Sequence, residues 1–197
     1  MNFFDSIFLD LDFSWTVAKL IPYAFMVLLG FTLIYSFHSR IKHLVKKWIL
    51  MSILGVLPFS LYFFFYPIYQ GDFSNNHFTP KQLEPFPNKL TLSVIVLPGC
   101  PYCHETISLM NELISREPKL HIRYVVVSES QSTLAMFTPT LDKRISVVRA
   151  SNIKNWIVMA QGGFPCMMIS QQGKIIYAWE NDFFGVRAID DYLDRNN

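Results

Sequence analysis

Cys100-Pro101-Tyr102-Cys103 is the stretch of this chain whose residue types and spacing best suit chemistry. Positions three apart are nearly one turn apart on a helix, so the two thiols face the same end and can close a disulfide. The tetrapeptide stands between an apolar run, Leu90–Leu97, and a segment with helical periodicity. A cysteine at a helix N-terminus meets unpaired N–H groups and the positive end of the helix dipole, which favour a thiolate. Pro101 suits the first helical position, where a missing N–H costs nothing. This placement assigns Cys100 the part of exposed nucleophile and Cys103 that of the more buried resolving thiol. Such a pair has two other uses, a metal site and an inert bridge. Zinc takes four ligands; only Cys100, Cys103, His104 and Cys166 are candidates, and adjacent ligands on one helix suit a tetrahedron poorly. A bridge over so short a loop constrains little chain. The expectation is dithiol redox chemistry with no metal and no cofactor, and neither G-x-G-x-x-G nor G-x-x-x-x-G-K-[ST] occurs.

The elements around this motif read as α/β. Leu90–Leu97 is a buried strand, and Pro101 to about Ser115 a helix with Ile107, Met110, Leu113 and Ile114 on one face. His121–Val127 is a second buried strand, Glu129–Phe137 a helix, and Ile145–Arg149 a short strand. Asn152 caps a helix that runs to about Gln161 and stops at Gly162-Gly163. Cys166–Ser170 and Lys174–Trp179 form a hairpin across Gln171-Gln172-Gly173, and Val186–Arg195 is a closing amphipathic helix. Alternating strands and helices predict a sheet covered on both faces, which the hairpin makes mixed. His104 and Glu105 read as solvated helix residues. Cys166 reads as a small buried core thiol, with a third redox thiol as the sharper alternative.

The first part of the chain differs in kind. Of 197 residues 51% are hydrophobic and 16% charged, well under the roughly 25% charge of average soluble domains, which points to membrane contact and excludes intrinsic disorder. Trp15 to Phe37 and Trp48 to Tyr69 are apolar runs without a polar face, each long enough to span a bilayer as a helix. Residues 1–14 carry three acids and no Lys or Arg, unlike a cleavable signal peptide. Arg40, Lys42, Lys46 and Lys47, with His38 and His43, make the connector basic and keep it cytoplasmic, so that both termini lie outside. Lys19 is expected to snorkel to the outer headgroups. Residues 71–197 hold 12 Lys+Arg and 12 Asp+Glu, so no charge excess marks a nucleic-acid binder. The expected domains are a two-helix anchor at 1–70, a tether of irregular or extended chain at 71–89, and a redox domain at 90–197.

C-P-Y-C opening a helix after a strand, followed by Gly162-Gly163-Phe164-Pro165 before a hairpin, resembles the thioredoxin superfamily. The tetrapeptide is similar to that of glutaredoxins. The extra helix and strand between His121–Val127 and Pro165 resemble the membrane-tethered TlpA/ResA-type oxidoreductases. The resemblance implies a thioredoxin-like mixed sheet with flanking helices, preceded here by two transmembrane helices. It implies a cis peptide at Pro165 beside the disulfide, and a substrate-docking edge of Pro101, Tyr102, Phe164 and Pro165. Three positions depart from the pattern: Gly99 stands where Trp is frequent, Val94 where thioredoxin has a buried acid, and two spans replace the usual one.

These features lead to a two-pass protein of the cell (inner) membrane with its redox domain extracytoplasmic. The expected partners are cysteine-containing protein substrates and a transmembrane redox partner or membrane complex, with electron flow in the reducing or isomerising direction. The alternative is an accessory subunit that uses a thioredoxin-like domain for docking, since a fold does not dictate its use.

Overall fold

A computed structural model describes residues 3–38, 44–74 and 76–195. Arg40, Lys42 and His43 of the basic connector, and Asn75 of the tether, lie outside the described residues. Three helices come first: α1 (Phe3–Asp10), α2 (Trp15–His38) and α3 (Leu44–Phe65). α2 has 24 residues, which at 1.5 Å each reach about 36 Å, against a hydrocarbon core of about 30 Å. Both α2 and α3 are long and apolar enough to cross a membrane. They turn Phe25, Leu28, Phe31, Trp48, Ile49 and Phe64 outward, which a core helix of a water-soluble domain would not do. Pro22 and Pro58 lie inside them without ending them. The second helix stops at Phe65 rather than running to Tyr69.

The second part is a five-stranded sheet in the order β3-β2-β1-β4-β5, with β1 Thr91–Val96, β2 Ile122–Val126, β3 Ser146–Arg149, β4 Cys166–Gln171 and β5 Lys174–Glu180. β1, β2 and β3 run parallel, and β4 and β5 antiparallel to their neighbours, giving the expected mixed sheet. The helices are α4 (Pro101–Arg116), α5 (Ile153–Met159) and α6 (Val186–Asp194). The domain has the thioredoxin-like fold. β1 is buried along its whole length, as a central strand covered on both faces must be. Its alternate residues feed two cores. Leu92, Val94 and Val96 join Met110 and Ile114 of α4 and Ile189 and Tyr192 of α6. Ile95 joins Val125, Val127, and Trp156 and Met159 of α5.

The segment expected as a helix over Glu129–Phe137 is a 3-10 turn, Gln131–Met136. Ser130 Oγ accepts the Ser132 N–H, and Thr133 and Thr138 donate to backbone carbonyls, so side chains compete with the α-helical ladder. Asn152 caps α5 as expected, its Oδ1 accepting the Asn155 N–H at 3.3 Å.

The stretch 71–89 is irregular, as its composition suggests, yet it is strapped down. Phe78 makes a two-way backbone bridge with Ala178 of β5. Phe86 is buried against Trp156. Glu84 is buried and accepts from Ser151 and Asn155, and these bonds hold its carboxyl below the usual range.

The N-terminal helices are also fastened to the α/β domain. Asp190 of α6 accepts the first N–H groups of α2, Trp15 N at 2.8 Å and Thr16 N at 2.9 Å. A residue of the last described helix thus serves as the N-cap of the first apolar one. Trp15 is buried in the α4/α6 core, where a large aromatic contributes on the order of 2–3 kcal/mol. Arg116 at the end of α4 bonds Asp10 Oδ1 at 2.6 Å and Ser6 Oγ at 2.7 Å on α1. The Lys19 Nζ lies 2.7 Å from Asp72 Oδ2, a nearly buried carboxylate beside α2. Asp72 belongs to a 3-10 turn, Gln70–Asp72, that crosses Gly185 closely. A Cβ added at Gly185 would stand 2.3 Å from the Gly71 carbonyl.

Candidate redox site

Leu97, Pro98 and Gly99 carry the chain from β1 to α4. Gly99 has φ +71°, a left-handed conformation that glycine adopts without penalty. The turn delivers Cys100 to the N-cap of α4, with Pro101 at the first helical position. Cys100 Sγ accepts the Cys103 N–H at 3.3 Å, and the Cys100 carbonyl accepts the His104 N–H at 3.3 Å. The sulfur therefore sits where the helix presents its free N–H groups.

Cys100 is partly exposed and Cys103 fully buried, and both are free thiols. Burial, aided by the hydrogen bond to Cys100, pushes the Cys103 thiol well above its ordinary range. Beneath it, the Thr106 hydroxyl donates to the Cys103 carbonyl at 2.9 Å and lies 3.0 Å from the Tyr124 hydroxyl. Because the one Thr106 proton is used, Tyr124 donates to Thr106. Burial raises the Tyr124 phenol, so it stays neutral. Neither Thr106 nor Tyr124 was marked by the sequence pattern. Their partnership joins a helix to a neighbouring strand and leaves no local trace.

Pro165 is buried, and its peptide bond with Phe164 is cis. Cys166 pairs with Ile95 across β1 and β4, so Pro165 flanks the end of β1 that leads to Cys100. Phe164 is half-buried and touches both cores, while Pro101 and Tyr102 are exposed, Tyr102 by 59%. The four residues expected to form a docking edge thus gather at one end of the sheet, three of them accessible.

His104 is not a freely solvated residue. Its ring stacks on the buried Phe137, with centroids 4.8 Å apart and planes 9° apart. Glu105 is exposed, as expected. Cys166 is fully buried in the α5 core, across the sheet from Cys103, and burial raises its thiol to about 12. The four side chains that could have formed a metal set, Cys100, Cys103, His104 and Cys166, are therefore not assembled.

No protein-family model matches the chain, and no curated protein matches it. Solved structures do resemble it. A secreted disulfide oxidoreductase of Mycobacterium tuberculosis is 9% identical, over 55% of this chain and 82% of that one, with a TM-score of 0.43. A thioredoxin-like protein of Porphyromonas gingivalis is 16% identical, over 54% and 75%, with a TM-score of 0.46. The exposed lipoprotein thioredoxin of Streptococcus pneumoniae is 18% identical, over 55% and 85%, with a TM-score of 0.43.

Proposed function

We propose that this chain is a membrane-anchored, extracytoplasmic thiol–disulfide oxidoreductase that exchanges electrons with protein cysteines through Cys100 and Cys103. The observation that carries the reading is the asymmetry of the pair. Cys100 is reachable and held at a helix N-cap, while Cys103 is buried directly behind it with a neutral thiol. That is the arrangement thiol–disulfide exchange requires. The Cys100 thiolate attacks one sulfur of a substrate disulfide; that S–S bond breaks, the other sulfur leaves as a thiolate that takes a proton, and a mixed disulfide forms. Cys103 then attacks Cys100 Sγ and releases the substrate thiol, leaving the Cys100–Cys103 disulfide.

In this reading α2 and α3 are the two spans, the connector with Lys46 and Lys47 is cytoplasmic, and both termini and the redox domain lie outside. The direction is reduction or isomerisation. The resemblance to the TlpA/ResA-type oxidoreductases supports this direction; a domain held at the bilayer stays close to a transmembrane electron donor, as it would equally to an oxidant.

A membrane-impermeant maleimide tests location and chemistry together. After mild reduction it is expected to label Cys100 in intact cells, or in spheroplasts where an outer membrane blocks entry. Cys103→Ser is expected to accumulate mixed disulfides with other proteins and Cys100→Ser to accumulate few. Labelling only after lysis reverses the topology, and equal trapping by the two variants removes the assigned roles. Absence of trapping by either variant favours the docking-subunit reading. Acid-trapping followed by gel-shift alkylation is expected to find the pair mostly reduced; a fully oxidised pair would assign the opposite direction.

A further inference from the structure

Anchor and redox domain enclose a cavity of about 430 Å³ at the first turn of α4. The anchor side supplies Trp15, Lys19 and Tyr69, and the domain side Tyr102, Glu105 and Phe184. The cavity wall includes Tyr102, two residues from Cys100 in the C-P-Y-C motif, but neither cysteine. Its floor is apolar and its charge is one-sided. Lys19 is committed to Asp72, while the exposed carboxylates of Glu105 and Asp182 stand on the rim.

From this geometry we infer the substrate class, building on the redox function proposed above: a cysteine of an integral membrane protein, just outside its span, next to basic residues. The anchor forms one wall, and the bonds from Asp190, Arg116 and Asp72 fix the domain on it. A segment leaving the bilayer beside α2 enters the cavity without unfolding. Its basic residues meet Glu105 and Asp182, and its cysteine reaches Cys100 past Tyr102.

The test uses full-length, pre-reduced protein in lipid nanodiscs. The probe is a single-span peptide whose only cysteine lies just outside the span and carries a nitrothiobenzoate mixed disulfide. Two arginines flank that cysteine in one peptide and two glutamates in the other. The Cys100 thiolate attacks the peptide sulfur, the bond to nitrothiobenzoate breaks, and that coloured thiolate leaves. Cys103 then gives up its proton and attacks Cys100 Sγ; the Cys100–peptide bond breaks and the peptide thiolate takes a proton. The dithiol loses two electrons and the probe disulfide gains two.

The arginine peptide is expected to release colour about fivefold faster than the glutamate peptide at low ionic strength, as two exposed charge pairs allow. In Glu105→Gln/Asp182→Asn the ratio is expected to fall towards one. A ratio near one in the unmodified protein, or a ratio the double variant leaves unchanged, overturns the inference while the redox function stands. Release from neither peptide overturns both.

Discussion

On one face of the sheet Cys103 is buried with Val94, Val96 and Met110; on the other Cys166 is buried with Ile95, Val125 and Met168. Both thiols are sealed from water, and burial pushes both up. They differ in what lies beside them. Cys103 sits one helical turn behind a reachable sulfur that stands on free N–H groups. Cys166 opens a strand whose backbone is committed to β1 and β5. Burial tunes a thiol, but the helix terminus connects it to the surface.

The largest expected effect breaks that comparison at its exposed end. Cys100→Ser should slow disulfide reduction by on the order of 10³-fold or more, as loss of a nucleophile does. Cys166→Ala should keep the rate within about twofold and cost about 1 kcal/mol of stability, the price of a small core truncation. Insulin reduction with a urea melt measures both, and a large rate loss in well-folded Cys166→Ala would make that thiol a third redox partner.

Next comes the close crossing of Gly71 and Gly185, on the Cys103 side of the sheet. Gly185→Ala places a Cβ 2.3 Å from the Gly71 carbonyl carbon, where only backbone can yield. It should destabilise the chain by about 2–3 kcal/mol, as overpacking does. A melt in detergent reads this, and an unchanged midpoint would mean that the crossing opens freely.

The buried partner can be sharpened by pH. Because Cys103 lies well above its ordinary range, its thiolate fraction keeps growing about tenfold per pH unit between pH 8 and 10, where an ordinary thiol levels off. Decay of a preformed Cys100 mixed disulfide should accelerate by that factor in stopped-flow, and a flat profile would contradict a neutral resting Cys103. The smallest effect is Asp190→Ala. It strips the acceptor from two N–H groups and should cost about 1 kcal/mol, with faster hydrogen exchange at Trp15 and Thr16.

Much of this was legible in the residues. The strand before Cys100, the Pro101 start of α4, the Asn152 cap and the hairpin after Pro165 are all local signals, and they stand where periodicity and turn chemistry put them. What stayed hidden is long-range. α1 went unassigned because eight residues, FFDSIFLD, offer too little pattern to separate a helix from an apolar tail. Residues 71–89 read as a tether because Phe78 and Glu84 find their partners about 100 and 67 positions away. His104 looked solvated because its partner, Phe137, lies beyond the next strand. At the site, the thiols and prolines were readable, while Thr106, Tyr124 and the acidic rim were not, since each acquires meaning only from a neighbour in space.

The bond from Asp190 to the start of α2 spans 175 residues, almost the whole chain. Translation is vectorial, so the first apolar helix leaves the ribosome long before its cap exists. Until then its opening N–H groups lack this acceptor. Only when α6 has been made and has packed is that terminus closed. A chain cut short before Asp190 would leave that terminus open, exposing Trp15 and its α4 neighbours to proteases. The making of α6 is thereby registered as a physical latch on a helix made far earlier.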